Sequence, residues 1–141
     1  PYPFNLCYCS ICRKTGGGGG YAINLGGDAG SLKVEGEANL RVYQADLGGG
    51  EISSGRRNFC GVCGSALWLW DPRWPELIHP FASAIDTALP TPPERTHLML
   101  SSKASWTPVD TGAGDQTFEE YPSESLSAWH QRLGLEEAED E

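Results

Sequence analysis

The sequence contains no apolar run approaching the roughly 18 residues that a membrane-spanning helix needs, so no such span is expected. No charged start followed by an apolar stretch marks a secretory signal. Cations are scarce. Ten Lys and Arg stand against nineteen Asp and Glu, for a formal net charge of −9. Phosphate backbones are bound through clustered cations, so nucleic acid is not an expected partner. Residues 136–141 carry five of the negative charges and read as part of a solvated acidic tail. Histidines number three, and none lies at metal-ligand spacing from a cysteine. The βαβ pattern that frames a thioredoxin-type redox pair is missing. The glycine run at 16–20 lacks a following Gly-Lys-Ser/Thr, which rules out a phosphate loop.

Against these absences stands one concentration. All five cysteines fall in two knuckles. Cys7-Tyr8-Cys9-Ser10-Ile11-Cys12-Arg13-Lys14 holds three of them, and Phe59-Cys60-Gly61-Val62-Cys63-Gly64 holds two. Thiolates are soft ligands, and a C-x-x-C turn brings two sulfurs to one ion from a single loop. Both knuckles therefore read as metal sites, with zinc as the expected ion. An odd cysteine count in a chain of 141 residues fits a disulfide scaffold poorly. Clustered, metal-type cysteines also favour a reducing, cytoplasmic setting. Arg13 and Lys14 are placed to favour thiolate, or are plain surface cations. The five glycines are either a floppy linker or a place where backbone approaches the knuckle closely.

These two knuckles, with Ser65 and Leu67 behind the second, Asp71-Pro72-Arg73-Trp74-Pro75, and Ala104-Ser105-Trp106, give the chain its likeness. From residue 4 to residue 130 it resembles the glutathione-dependent formaldehyde-activating enzyme family, which also includes the centromere protein V group. The resemblance implies a β-tent of small stacked sheets with zinc at the joins. It implies that Cys7, Cys9 and Cys12 hold a catalytic zinc with one position open. It also implies that Cys60 and Cys63 share a second, structural zinc with an upstream C-x-C, usually on a first strand. No cysteine precedes Cys7 in this chain, so that strand was either removed or is lacking in this member. The other arrangement is a single four-sulfur site from Cys9, Cys12, Cys60 and Cys63, with Cys7 free. Such a closed site is structural.

Eighteen Gly and ten Pro point to many turns and short strands. Apolar alternation and, at 66–70, a fully apolar run bounded by turn residues predict strands over 21–25, 31–36, 40–44, 66–70, 77–85 and 97–100. Residues 66–70 are expected to be buried on both faces, and Pro80 marks an edge or bulge. Residues 1–6 read as an extended approach, with Pro1 and Pro3 blocking helix. One helix is expected, over 123–134, capped by Ser123, striped by Leu126, Trp129 and Leu133, and ended by Gly134. The expectation is a single, mainly β, zinc-binding domain over 1–134 and an acidic disordered tail over 135–141.

Three thiolates on zinc leave a fourth position for a thiol or a carbonyl oxygen, and the ion lowers the pKa of what it binds. A thiol and an aldehyde there form a thiohemiacetal, and the reverse step breaks a carbon–sulfur bond. The resemblance thus implies a carbon–sulfur lyase acting on glutathione-type adducts, with glutathione and formaldehyde or another aldehyde as partners. His79 and His97 are candidate proton carriers, though plain structural histidines are the simpler reading, and His130 reads as surface. Arg73, Trp74 and Trp106 could line a pocket or fill core. The competing class is a non-catalytic, zinc-stabilised module that binds a protein partner through its Trp-rich surface. An open three-sulfur site favours the enzyme, and a closed four-sulfur site favours the module.

Overall fold

The computed structural model describes residues 1–135. Within them the chain forms eleven short strands and two α-helices. In order these are β1 (Asn5–Cys7), α1 (Ser10–Gly16), β2 (Ala22–Ile23), β3 (Gly27–Asp28), β4 (Leu40–Tyr43), β5 (Asp46–Gly48) and β6 (Glu51–Ile52). Then come β7 (Arg56–Cys60), β8 (Ala66–Trp70), β9 (Leu77–Pro80), β10 (Thr96–Leu98), β11 (Gln116–Thr117) and α2 (Leu126–Arg132). The mainly β expectation holds. The expected acidic tail falls almost wholly on residues 136–141, outside the described residues.

Two sheets carry the domain. One has the order β11-β10-β1-β2, the other β3-β9-β8-β7-β4, and β5 pairs with β6 as a separate ribbon. The chain crosses from the first sheet to the second between Ile23 and Gly27, and an Asn24–Phe81 bridge ties the two along that crossing. The apolar cluster of Cys7, Cys12, Ala22, Phe81 and Leu98 fills the join, with Ala66 and Leu69 of β8 packed against it. Two of the cysteines are thus core residues.

The opening residues are more than an approach. Asn5, Leu6 and Cys7 are all buried, because β1 lies inside its sheet, parallel to β10 and antiparallel to β2. The proline-bearing start is held from the other end of the chain. The ring of Phe4 stacks on Trp129 of α2 at 3.6 Å between centroids and 4° between planes. Trp129 is completely buried, as the expected apolar stripe requires.

Helix α2 is shorter than expected, and its cap is Ser125 rather than Ser123. The Ser125 hydroxyl accepts from the Ala128 amide at 3.0 Å, which fixes the first turn at Leu126. Gly134 ends it with a φ of +68°, letting Leu135 bond back to the His130 carbonyl. His130 is half-buried against Phe4 and Tyr2 rather than on the surface. A second helix, α1, was not expected and is described below.

Residues 31–36 form no strand. Their alternation is present, but a 3-10 turn at Ala29–Ser31 is followed by chain with no strand partner. Strand β8 is half-buried along its whole length rather than buried on both faces. The Arg56 guanidinium covers the Trp70 ring at 5.1 Å. The expected 77–85 strand stops at Pro80, and Ala82–Ala84 turns as 3-10 helix. Pro80 donates no ladder bond, which is tolerable at the strand's end.

The Asp71-Pro72-Arg73-Trp74 corner after β8 is locked by one carboxylate. Asp71 accepts from the Arg73 amide and side chain and from the Ser54 hydroxyl at 2.7–3.1 Å. The hydrogen-bonded Arg73 guanidinium holds the Asp71 carboxyl at about 2. A depressed folded-state value stabilises the fold above the ordinary carboxylate range and is lost as pH falls through it. The wild type should therefore lose stability between pH 4 and 2 more steeply than Asp71→Asn, by thermal unfolding at each pH. Equal acid slopes would remove Asp71 as the cause. Arg73 also lies over Trp74 at 4.5 Å, which leaves both at this corner and outside the cavity described below. Trp106 is largely exposed and does not line that cavity.

Candidate metal centre

The first knuckle gathers its thiols by combining two periodicities. Cys7 and Cys9 are two apart in extended backbone, so their side chains share a face. Cys9 has extended dihedrals, φ −64° and ψ 157°, and serves as the N-cap of α1. Cys12 follows one helical turn later on the same side. The Cys9 sulfur accepts from the Cys12 amide at 3.3 Å, so the cap is made by a candidate ligand. No long apolar stripe announces this seven-residue helix. Its signal is the spacing of the knuckle itself.

The result is a cluster of Cys7, Cys9 and Cys12 with all three sulfurs within 4.8 Å of one another. Zinc–sulfur bonds of about 2.3 Å in a tetrahedron place sulfurs about 3.8 Å apart, so three donors at this spacing can hold a metal ion. Cys7 and Cys12 are buried and Cys9 is half-buried, which leaves the cluster open to solvent on the Cys9 side. Among the described residues this is the one group of three or more such ligands, and neither Cys60 nor Cys63 belongs to it. The four-sulfur arrangement of Cys9, Cys12, Cys60 and Cys63 is therefore not present.

The protons of the trio are unequally held. Hydrogen bonds to Cys12 and Cys9, followed by burial, push the Cys7 thiol up. Hydrogen bonds from Cys12 and Cys7 pull the Cys9 thiol down against its burial. The cation acting on the trio is Arg57 of β7, whose Nη2 donates to the Cys12 sulfur at 3.5 Å. Arg13 and Lys14 instead occupy the last turn of α1, where they complement its carbonyl end.

Cys60 and Cys63 form a separate pair at the tip between β7 and β8. The Cys60 sulfur accepts from the Val62 amide at 3.4 Å. Cys63 is exposed and pairs with the Ser65 hydroxyl at 3.1 Å, which pulls its thiol below the ordinary value. Gly64 makes the turn at φ +80°. Cys63 also hydrogen-bonds the Cys60 side chain, and no third ligand joins the two among the described residues. All five cysteines are free thiols.

Of the five glycines of the run, Gly17 and Gly20 are tightly packed, Gly16 would bring a Cβ to 3.3 Å from that of Ala66, and two are open. Gly17 caps α1, and a Cβ there would lie 2.5 Å from the Tyr21 carbonyl oxygen. Gly20 has φ +103° and leaves no room beside Thr107. Gly18 and Gly19 have open space. Gly17→Ala should therefore destabilise the domain by a few °C or more in melting temperature, while Gly18→Ala should leave it nearly unchanged. Equal melting curves for the two would show that the run is slack throughout.

One arrangement was beyond sequence reading. Tyr8 alternates away from its flanking cysteines and is buried. Its hydroxyl donates to His97 Nδ1 at 2.8 Å, and His97 Nε2 meets Asp115 at 3.1 Å. Asp115 in turn accepts from the Arg95 and Gly112 amides. Burial raises the Asp115 carboxyl, but these amides and His97 together hold it below its ordinary value. A carboxylate that accepts the Nε2 proton leaves Nδ1 bare to receive the phenol. His97 is thus the middle of a buried chain anchoring the residue between two of the thiols. His79 makes a simpler contact, to the Leu25 carbonyl at 3.0 Å, and burial lowers its pKa.

A small β-domain whose core join is built around three clustered thiols fits a class of proteins that can hold a metal ion at such a join. The sequence profile described as glutathione-dependent formaldehyde-activating enzyme matches residues 1–102. A relative from Halomonas elongata, named provisionally as a glutathione-dependent formaldehyde-activating enzyme, is 61% identical over 137 residues, covering 97% of this chain and 87% of its own. The chain belongs to the glutathione-dependent formaldehyde-activating enzyme family.

Proposed function

We propose that the chain is a zinc-dependent carbon–sulfur lyase acting on adducts of a glutathione-type thiol with an aldehyde, formaldehyde being the one the family's name specifies. The observation that carries this reading is the three-thiol cluster with its solvent-open side at Cys9. Cys7, Cys9 and Cys12 would hold the ion, and Cys60 and Cys63 would contribute to a second, structural one. When bound, zinc supplies Lewis acidity and lowers the pKa of a thiol at its free position. The surrounding residues do the rest. Burial of Cys7 and Cys12 keeps water from two sides of the cluster. Arg57 offsets the negative charge that three thiolates accumulate, and Tyr8 keeps the Cys7–Cys9 stretch extended.

The reaction balances without an oxidant. In the synthetic direction the thiol sulfur bonds to the aldehyde carbon, and the thiol proton ends on the former carbonyl oxygen. In the reverse direction that carbon–sulfur bond breaks. Five free thiols suit a reducing compartment, and we place the protein in the cytoplasm on that ground.

The test is exchange NMR on glutathione and formaldehyde with the zinc-loaded protein. Adduct formation and breakdown should run well above the uncatalysed rate and return to it on chelation. A zinc-loaded protein that leaves the exchange rate untouched would exclude the lyase and favour a zinc-stabilised binding module.

A further inference from the structure

Beside the thiol cluster lies a cavity of about 210 Å³. It opens between the end of α1 and the face of the five-stranded sheet. Phe59, Ala66 and Phe81 give it apolar walls, Thr15 and Arg57 a polar end, and Tyr43 one side of its mouth. Ala66 and Phe81 also pack against the cluster that contains Cys7 and Cys12. The cavity and the metal centre therefore share a wall.

Arg57 spans the two. Its Nη2 points to Cys12 and its Nη1 donates to the Thr15 hydroxyl at 3.2 Å. A guanidinium has five N–H donors in a planar fork, so three remain. Among the described residues no carboxylate lies within ion-pair distance of it. The half-buried cation lines the cavity beside Phe59, Ala66 and Phe81, with Asn58 and Thr15 as polar neighbours in the same wall. A guanidinium fork in such a setting is complementary to a carboxylate, which it can grip through two parallel hydrogen bonds. The chain's formal charge of −9 would repel an anionic thiol elsewhere on its surface.

We propose that this cavity is the subsite for a carboxylate arm of the substrate, with Arg57 as the residue that recognises it. The substrate class is then a thiol that carries a carboxylate, its sulfur directed to the cysteine cluster and its acid group to Arg57. This rests on the lyase reading above for the sulfur's destination. Arg57 is a specificity residue in that account. An aminothiol such as cysteamine, or a thiol with its acids esterified, lacks the group that fills the subsite.

Isothermal titration of the zinc-loaded protein with glutathione and with glutathione diethyl ester, without aldehyde, tests it. The wild type should bind glutathione about 10- to 100-fold more tightly than the diester, the range expected for a hydrogen bond to a charged group. Arg57→Gln, compared with the wild type at equal zinc loading, should lose that preference, so that the two ligands bind alike. A second variant covers the case in which Arg57→Gln fails to load zinc. Tyr43 is exposed and stands opposite Arg57 in the β4–β7 register. Tyr43→Glu supplies a competing carboxylate at the mouth and should weaken glutathione while sparing the diester. Equal weakening of both ligands would overturn the subsite and leave Arg57 as a partner of Cys12 alone. Wild-type binding of both ligands with no preference would also overturn the subsite while leaving the lyase reading intact. Failure of the wild type to bind either ligand would remove the lyase reading, and the subsite with it.

Discussion

Cys12→Ser should strip the first knuckle of its metal and lower turnover of the thiol adduct by about a thousandfold. The size follows from what the ion supplies. Lewis-acid stabilisation is worth several kcal/mol, and each 1.36 kcal/mol is a factor of ten in rate. Serine puts a harder, shorter donor at the most deeply placed sulfur of the trio, 3% exposed. Two sulfurs then remain to hold the ion. Zinc per chain by elemental analysis, read alongside the adduct exchange rate, checks both halves. Retention of full activity with one zinc fewer would show that the chemistry lies elsewhere. Cys63→Ser removes no member of the trio. Its cost should appear in thermal stability, not in the metal that the trio retains.

The second large effect is expected at a residue that touches no ligand. His97→Ala should cost about 3 to 5 kcal/mol, because it leaves a buried phenol and a buried carboxylate without the partner between them. For a domain of this size that is roughly 10 °C or more in melting temperature. His97→Leu keeps the volume but none of the hydrogen bonds, and should fall as far. Metal affinity should drop as well, by about 10- to 100-fold, the scale seen when groups behind metal ligands are removed. A chelator competition on the folded protein below its melting point measures that directly. Lowered stability with unchanged metal affinity would make the Tyr8–His97–Asp115 chain a prop for the sheet alone.

What the sequence revealed was the chemistry that depends on short spacing. Three thiols within one strand end and one helical turn must meet, so Cys7, Cys9 and Cys12 were legible as a unit. The mainly β class and the Trp129 stripe were legible for the same reason, since each repeats over a few neighbouring residues. The partners that make these pieces work are far away in the chain. Tyr8 and His97 are 89 positions apart, and Arg57 reaches Cys12 across 45. Neither pairing leaves a local pattern. Residues 1–6 read as an approach because Phe4, Asn5 and Leu6, the three residues between Pro3 and the knuckle, are too few to show alternation. The 31–36 stretch failed the other way. Its alternation is real, but a strand without a neighbour has no ladder to join.

The parallel pairing of β1 with β10 has a consequence in time. Residues 5–7 leave the ribosome well before their parallel partner, which comes only at Thr96–Leu98 and is itself bordered by β11 at Gln116. Local hairpins such as β7–β8 can close early. Strand β2 can pair with the knuckle strand early, but the knuckle strand's other edge stays open until β10 has been made, and closing so long a loop slows its final docking. The knuckle's thiols therefore spend that interval as a pliable tripod able to wrap an ion, and the folded domain afterwards sets how readily the ion leaves.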